Sequence, residues 1–387
     1  MNIGIDKIDY YSPNQYVDLV DLAQRRNIEP DKFTIGIGQE KMALPLLSQD
    51  AVTMAAMAAD KILNDIDKKD IELLIIGTES GVDESKASAL YVRDLLGLPS
   101  SVRAFEIKEA CYGTTAGLQM AYNFVAQNPE KSALIISSDI ARYGLDTPGE
   151  VTQGAGSVAM LIKKNPSILK LENDSVFMSE NVGDFWRPTY SQYAFARGKY
   201  SNEVYIRFFT ELYKQYFEKN NNGIEDISAL LFHIPYTKMG KKALQAVEEL
   251  IPADKYADFM KRYESSTILS KNIGNLYTGS LYISLISYLE NSDQVEADDK
   301  VMLFSYGSGS MGEIFTGKVQ PGFKEKLQKK KHLDTLNNRR QLTVDEYETE
   351  FKKELEIKDG NYFVGNQTDD KFFLEQIKEN ERIYKSI

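Results

Sequence analysis

The single cysteine of this 387-residue chain, Cys111, stands in a sequence context that favours chemical reactivity. The surrounding segment 109–117 (Glu-Ala-Cys-Tyr-Gly-Thr-Thr-Ala-Gly) is rich in small and turn-forming residues, and a helical pattern of apolar residues follows it. A thiol at the start of a helix lies near unpaired N–H groups and the positive end of the helix dipole, which lower its pKa. We therefore interpret Cys111 as a nucleophile. The alternative is a small buried apolar residue.

Two further reactive side chains lie at the ends of predicted buried strands. Glu79 follows the apolar run Ile71–Gly77, and His233 ends a similar run, 228–233, in the second half of the chain. Ligands bind at strand ends in α/β sheets, so a carboxylate, a thiol and an imidazole there are suited to covalent catalysis with acid–base support. Taken singly, Glu79 is also consistent with a solvated acid or a helix cap, and His233 with a hydrogen-bonded core residue.

The elements that position these residues alternate between apolar, β-branched runs and amphipathic helical patterns, which is typical of α/β architecture. The predicted strands are 71–77, 132–138, 157–162, 228–233 and 301–306, and the predicted helices are 49–66, 86–96, the one after Cys111, 241–250 and 281–289. The similar order in both parts predicts two similar halves, 1–165 and 166–387. From about residue 322 the chain is rich in charged residues, which predicts peripheral helices with exposed faces.

Composition and charge argue against several classes of function. A net charge of −11 disfavours non-specific nucleic-acid binding, and one cysteine with two histidines disfavours a disulfide framework or a Cys/His metal site. The chain begins with a strand-like segment rather than a signal peptide. No apolar run approaches the roughly 18 residues that span a bilayer. We expect a cytoplasmic protein that contacts no membrane and holds no metal.

Several short segments, in order over most of the chain, form a specific pattern. They are 77–80 (Gly-Thr-Glu-Ser), 108–112 (Lys-Glu-Ala-Cys-Tyr), 184–188 (Asp-Phe-Trp-Arg-Pro), 232–239 (Phe-His-Ile-Pro-Tyr-Thr-Lys-Met), 274–280 (Gly-Asn-Leu-Tyr-Thr-Gly-Ser) and 304–310 (Phe-Ser-Tyr-Gly-Ser-Gly-Ser). This pattern resembles the 3-hydroxy-3-methylglutaryl-CoA synthases of the bacterial mevalonate-pathway type, a branch of the thiolase superfamily. The resemblance implies a thiolase fold, with two similar α/β halves in a layered αβαβα arrangement, and a homodimer.

The resemblance also implies a reaction: acetyl-CoA, acetoacetyl-CoA and water give 3-hydroxy-3-methylglutaryl-CoA and CoA, with no cofactor. By this resemblance Cys111 carries the acetyl group as a thioester, Glu79 removes a methyl proton, and His233 acts on the oxygen of acetoacetyl-CoA. The substrate-binding positions that it implies are Glu29, Tyr143, Thr152, Ser201, Lys238, Lys242, Asn275 and Ser308. Of these, Lys238 and Lys242 are assigned to phosphate or pantetheine contact, and Asn275 and Ser308 to the thioester oxygens.

Three other functional hypotheses are compatible with parts of the sequence. A β-ketoacyl synthase would use Cys111, His233 and Asn275, but it leaves Glu79 and the segment 184–188 unexplained. A polyketide β-branching synthase would take its acetyl group from a carrier protein, and the sequence discriminates poorly between this donor and acetyl-CoA. A non-catalytic acyl-CoA-binding relative is disfavoured because all three reactive residues are present.

Overall fold

The computed structural model describes residues 1–220 and 223–387 of the chain. Its strands are β1 (Ile3–Tyr11), β2 (Gln15–Asp18), β3 (Lys41–Ala43), β4 (Ile71–Gly77), β5 (Arg103–Ile107), β6 (Ser132–Ala141), β7 (Gly154–Lys164), β8 (Leu169–Leu171), β9 (Val176–Ser179), β10 (Phe185–Trp186), β11 (Phe195–Ala196), β12 (Ala229–Phe232), β13 (Lys300–Gly307), β14 (Met311–Val319), β15 (Arg340–Leu342), β16 (Tyr362–Phe363), β17 (Phe372–Lys378) and β18 (Glu381–Ser386).

The α-helices of the described residues are α1 (Leu19–Arg25), α2 (Ala51–Asp60), α3 (Asp65–Asp70), α4 (Ser88–Leu95), α5 (Gly113–Gln127), α6 (Gly198–Lys219), α7 (Lys238–Gln245), α8 (Ala253–Ser266), α9 (Ile268–Ile273), α10 (Ser280–Asn291), α11 (Lys329–Asn337) and α12 (Val344–Phe351). A short π-helical segment covers Lys32–Ile37, and 3-10 turns include Glu248–Leu250 and Tyr277–Gly279.

A ten-stranded mixed sheet connects the two halves of the chain. Nine strands follow the order β12-β13-β14-β8-β1-β7-β6-β4-β5, and β9 pairs with β14. In the first half, β4 is parallel to β6, β6 is antiparallel to β7, and β7 is antiparallel to β1. In the second half, β12, β13, β14 and β8 repeat these three relations in the same order. The predicted similarity of the two halves is therefore present in the strand pairing.

The central strands β4, β6, β12 and β13 are buried on both faces, which explains their nearly continuous apolar sequences. In β4, Leu73 and Ile75 join a central core that includes side chains of α5 and α10, whereas Leu74 and Ile76 join an outer core with α2 and α4. On the far side, strands β12 and β13 contribute to the same central core and to a second outer core with α6, α7 and α8. This order of helices and strands is the predicted αβαβα arrangement.

The predicted elements are present, with differences at their ends. The five predicted strands all occur, within three residues of the expected limits. The helix predicted over 49–66 is two helices, because α2 ends at Asp60 and Asn64 caps the start of α3 with its side chain. The helix predicted over 241–250 begins earlier, at Lys238, and its last residues form a 3-10 turn. The boundary predicted between residues 165 and 166 falls between β7 and β8 and stays a prediction.

The prediction of helices throughout the charged C-terminal part is wrong for its last segment. Helices α11 and α12 occur, but β16, β17 and β18 then form a separate three-stranded sheet. The turn that joins β17 to β18 consists of Glu379 and Asn380, both at positive φ, as in the two-residue turns of tight hairpins. Phe372 and Leu374 are buried, so this part of the chain packs on the body of the protein.

Candidate active site

Cys111 and Glu79 are in direct contact. The Cys111 thiol donates a hydrogen bond to Oε1 of Glu79 over 2.9 Å. Cys111 lies just before α5, and Glu79 lies two residues beyond the end of β4. These residues are 32 positions apart in the sequence. Helix α5 packs against β4, which brings the end of β4 and the start of α5 together. The contact allows a proton to pass directly between sulfur and carboxylate.

Two glycines permit this close approach. A Cβ atom on Gly77, at the end of β4, would lie 2.3 Å from the backbone nitrogen of Thr114 in the first turn of α5. A Cβ atom on Gly307, at the end of β13, would lie 2.7 Å from the backbone nitrogen of Tyr112. Only glycine fits such gaps without displacement of the backbone. Strand ends from both halves therefore contact the start of α5 beside Cys111.

The Glu79 carboxyl group has an environment suited to a base that works near neutral pH. Burial, together with the charge of the nearby Asp139 carboxylate, raises the pKa of Glu79 to about 8. The hydrogen bond from Cys111 and the charge of Arg187 act in the opposite direction. The Arg187 guanidinium also donates a hydrogen bond to the backbone carbonyl of Glu79, which fixes the loop.

The expectation of a lowered thiol pKa at Cys111 is wrong. Burial raises the pKa of Cys111 well above its ordinary value, and the charge of Glu79 raises it further. The dipole of α5 does not compensate for these two effects, because a thiolate beside an ionised carboxylate is a second negative charge in a buried site. The pair therefore holds a shared proton, and formation of the thiolate requires its transfer to Glu79.

Asp139 holds the Glu79 loop and joins it to the second half. Its Oδ1 accepts hydrogen bonds from the Glu79 backbone N–H at 2.7 Å and from the Ser80 hydroxyl at 2.9 Å. Its Oδ2 accepts from the backbone N–H and the hydroxyl of Thr278, at 3.1 and 2.5 Å. Asp139 is fully buried, so these bonds replace the water that a free carboxylate would bind.

His233 lies at the end of β12 and presents an imidazole with an unused nitrogen. The residue is 2% exposed, and its Nδ1 has no hydrogen-bond partner among the described residues. Its backbone is fixed, since its N–H donates to Phe304 and its carbonyl accepts from the Tyr205 hydroxyl. Burial lowers the pKa of His233 to about 3. The imidazole is therefore neutral near pH 7 and can donate one hydrogen bond without a positive charge.

Asn275 and three aromatic rings from both halves line the cavity beside Cys111. Oδ1 of Asn275 accepts from the Tyr277 N–H and the Ser280 hydroxyl, both at 2.9 Å, so the side chain is fixed and its amide N–H groups face away from these donors. The rings of Tyr143, Phe185 and Tyr277 lie 6.0 to 6.2 Å apart, centroid to centroid, in edge-to-face pairs. They form an apolar wall that limits water beside Cys111.

Most of the predicted site residues line one cavity of about 560 Å³. Its lining includes eight of the eleven predicted residues, namely Cys111, Tyr143, Thr152, Ser201, His233, Lys242, Asn275 and Ser308. This volume lies within the range of small-molecule sites. Glu79 is reached through its contact with Cys111.

Comparisons with known proteins agree with this geometry. The family model "Hydroxymethylglutaryl-coenzyme A synthase N terminal" matches residues 1–167, and the corresponding C-terminal model matches 170–249 and 245–385. A hydroxymethylglutaryl-CoA synthase of Enterococcus faecalis is 49% identical over 357 residues, which cover 92% of this chain and 93% of that protein. A crystal structure of HMG-CoA synthase complexed with CoA is similar with a TM-score of 0.98 and 41% identity, and each chain is covered completely.

This chain belongs to the hydroxymethylglutaryl-CoA synthase family. The predicted fold is confirmed, because the synthase structures that it matches have the thiolase fold. A more distant relative, the polyketide-biosynthesis 3-hydroxy-3-methylglutaryl-ACP synthase PksG of Bacillus subtilis, is 29% identical with complete coverage of both chains.

Two predicted ligand residues of this synthase lie outside the lining of the cavity. Lys238 begins α7, on the same helix as Lys242, but only Lys242 lines the cavity, and its Nζ donates to the Tyr236 hydroxyl at 3.0 Å. Glu29 is exposed and precedes the π-helical segment, whose last residue, Ile37, lines the cavity. Contacts of Lys238 and Glu29 with a bound CoA stay predictions.

The sequence reasoning missed two buried carboxylates of the synthase site. Asp139 directly follows the predicted strand 132–138, which is the same signal that identified Glu79. Asp184 lies in the quoted segment 184–188, and it accepts hydrogen bonds from the Ser201 hydroxyl at 3.2 Å and the Gly309 N–H at 3.0 Å. It thereby fixes the loop that carries Ser308, next to the start of α5.

The described residues contain neither a metal-type cluster of side chains nor a membrane-spanning helix. Within 1–220 and 223–387, no group of three or more His, Cys, Asp or Glu side chains has the arrangement of a metal site. Over the same residues, no helix combines the length and the apolar character needed to cross a bilayer.

Proposed function

We propose that this enzyme condenses acetyl-CoA with acetoacetyl-CoA and water to give 3-hydroxy-3-methylglutaryl-CoA and CoA, in the mevalonate route to isoprenoids. The observation that carries the proposal is the 2.9 Å contact between Cys111 and Glu79 beside a cavity that also contains the unpartnered imidazole of His233. This combination supplies a nucleophile, a base and a neutral hydrogen-bond donor to one bound thioester.

In the first step, Cys111 is acetylated. Glu79 takes the thiol proton, and the sulfur attacks the thioester carbon of acetyl-CoA. As the bond to the CoA sulfur breaks, Glu79 returns the proton to that sulfur, and CoA leaves as the thiol. The direct hydrogen bond between thiol and carboxylate suits both transfers, since heavy atoms within about 3.2 Å allow proton movement without an intervening water.

In the second step, Glu79 acts again as the base. It removes a proton from the methyl group of acetyl-Cys111, and the resulting carbon nucleophile attacks the ketone carbon of acetoacetyl-CoA. A carboxylate with a pKa near 8 is a stronger base than an ordinary one, which reduces the free-energy cost of this step. The apolar wall of Tyr143, Phe185 and Tyr277 limits protonation of the carbon nucleophile by water.

The remaining groups act on oxygen atoms. His233 is neutral, so it donates a hydrogen bond to the oxygen on which negative charge develops, and the proton that Glu79 took from the methyl group neutralises that oxygen. Asn275 and Ser308 hold the thioester oxygens. The loss of one such donor typically costs about 3 kcal/mol of activation free energy. Water then hydrolyses the thioester to Cys111, which frees the product and returns a proton to the Cys111–Glu79 pair.

Lys242 and Lys238 are proposed to contact the phosphates or the pantetheine of CoA, and Glu29 is a more peripheral contact. The CoA thioester is favoured over a carrier-bound donor because the CoA-named relative is 49% identical and the carrier-named relative is 29% identical. A direct comparison of acetyl-CoA with an acetylated carrier protein as donor tests this choice.

The central experiment follows a labelled acetyl group. The protein is incubated with labelled acetyl-CoA and the intact mass is measured, after which acetoacetyl-CoA is added and the product identified. Because Cys111 is the only cysteine, a labile thioester on the protein has one possible site. Cys111→Ala should take no label, and His233→Ala should impair acetoacetyl-CoA use more than acetylation. Normal acetylation of Cys111→Ala would refute the proposal.

We also propose a cytoplasmic homodimer that holds no resident cofactor. Strand β5 pairs with β4 on one side only among the described residues, so a free sheet edge is present for a second copy. Sedimentation that shows a monomer alone would contradict the dimer. Loss of activity after treatment with a chelator would contradict the absence of a metal.

A further inference from the structure

A second cavity lies apart from the active site, at the start of α11. Its volume is about 730 Å³, and none of its lining residues lines the active-site cavity. The side chains that define its character are Asn14, Lys329, Lys330, Lys331, Asp334 and Arg339. The predicted reaction assigns no role to this region.

The charge of the second cavity is opposite to that of the whole protein. Three lysines and one arginine oppose one carboxylate, that of Asp334, so the lining carries a charge of about +3 in a chain of net −11. The lysines are exposed, and none of the three forms an ion pair with a described residue. Their charge is therefore available to an anion.

Arg339 adds a buried positive charge to the lining of this cavity. It is 7% exposed, and Nη2 donates to the carbonyl of Asn272 at 2.8 Å, while Nη1 has no partner among the described residues. Burial lowers the pKa of Arg339 to about 10, which leaves the group charged at neutral pH. Its guanidinium lies 4.9 Å from the ring of Tyr16 and faces no carboxylate at ion-pair distance. A buried cation without a counter-ion is costly.

The backbone adds a second kind of anion donor. Helix α11 has nine residues; its N-cap residue Gln328 makes no side-chain cap, and the Gln328 backbone N–H donates to Oε1 of Glu290 at 3.1 Å. The following backbone N–H groups, those of Lys329 to Lys331, have no acceptor among the described residues, and these three residues line the cavity, where the helix dipole also favours negative charge. Lysine ammonium groups, a guanidinium and free N–H groups together are the donor set that proteins use for phosphate.

We propose that this cavity binds a small molecule with a diphosphate group, either free inorganic diphosphate or a diphosphate ester such as a nucleoside diphosphate. Several cations on one wall match the charge of two linked phosphates better than that of a single carboxylate. The volume exceeds what inorganic diphosphate needs and is sufficient for an organic ester. Arg339 binds the innermost phosphate oxygen, and the exposed lysines bind the outer ones.

The test is calorimetric titration of the full chain in a buffer that contains neither phosphate nor CoA, since CoA itself carries a diphosphate, and the variants below separate this cavity from the active site. Inorganic pyrophosphate and ADP are the probes. One-to-one binding is expected for at least one of them. Tighter binding of ADP assigns the site to esters, and binding of pyrophosphate alone assigns it to the free anion.

Matched variants localise the binding. Lys330→Gln/Lys331→Gln should weaken it at least about tenfold, because charge-assisted contacts are lost. Lys324→Gln/Lys326→Gln removes the same charge from exposed neighbours outside the cavity lining and should change affinity little. Arg339→Lys, with thermal melting as the check on folding, should also weaken binding. No binding, equal weakening by both double variants, or loss in Lys242→Gln alone would overturn the proposal.

Discussion

The first half of the chain and the second half each place polar side chains at the end of a parallel strand and near the start of a central helix. In the first half, Glu79 follows β4 and Cys111 precedes α5. In the second half, His233 follows β12 and Asn275 precedes α10. The strand pairing of the two halves is the same, so these four positions are structurally related. Their electrostatic environments are nevertheless different.

In the first half the two groups are in contact and share a proton, and both have raised pKa values. In the second half the imidazole is uncharged and the amide cannot titrate. The two halves share a framework that places their polar side chains at equivalent positions. The burial and the neighbours of each side chain determine which half exchanges protons. Asp139 connects them, since it binds both Glu79 and Thr278.

Removal of the carboxylate from the first half should have the largest effect. Glu79→Gln should still take the acetyl label, but more slowly because the thiol proton must leave to solvent, and it should reduce the condensation rate by about 10²- to 10⁴-fold, because no base remains for the methyl proton. The pKa of the Cys111 thiol should fall, as the neighbouring charge is gone. Rapid-quench assays and the pH dependence of iodoacetamide alkylation measure these effects. Glu109→Gln is the matched control, and equal loss in both variants would contradict the assignment.

A smaller effect is expected when the link between the halves is altered. In Asp139→Asn, an NH₂ group must face the N–H donors of Glu79 or Thr278, which should lower kcat about ten- to a hundredfold. The pKa of Glu79 should also fall, because the adjacent charge that raises it is lost. The pH–rate profile distinguishes this positioning role from simple destabilisation. An unchanged profile with a reduced melting temperature would argue for a purely structural role.

The pH dependence of the wild-type protein tests the electrostatic difference between the two halves. Since Glu79 must be ionised to act as a base, kcat/KM should rise with pH up to a plateau, with a midpoint near the pKa of about 8. The NMR signals of His233 should not titrate between about pH 5 and 9, because its pKa is lowered to about 3. Titration of His233 near neutrality would show that the second half also exchanges protons.

The smallest effect on turnover is expected from the second histidine. His332 is 3% exposed, and it bonds to Asp9 and Glu290 at 2.9 Å. Burial lowers its pKa, but these hydrogen bonds outweigh burial and raise the pKa overall. Its stabilisation is therefore complete below about pH 6.5 and is lost as pH rises through the raised pKa.

His332→Gln should leave kcat nearly unchanged and lower the free energy of unfolding by about 3 kcal/mol at pH 6. The loss should be smaller at high pH. Urea unfolding at several pH values gives the comparison, with Lys331→Gln as an exposed neighbour for reference. A pH-independent loss would mean that His332 contributes by packing alone.

The sequence was sufficient for much of the fold because the relevant signals are local. No knowledge of packing partners is needed to recognise the apolar run of β4, the small residues before α5, or the motifs 184–188 and 274–280. The C-terminal hairpin was missed since charged residues on its exposed face obscure the alternation of Phe372 and Leu374. Glu379 and Asn380 can be recognised as a hairpin turn only after the flanking strands are known.

Residue type and spacing were enough to identify the available reactive groups, the order of the central strands and helices, and the family. The proton balance of the site depends on the folded protein. The tertiary structure raised the pKa of Cys111 where the helix start alone predicted a decrease, and it left His233 neutral and unpartnered. It also placed Asp139 between the halves. These properties depend on burial and on contacts between residues far apart in sequence, which no local pattern specifies.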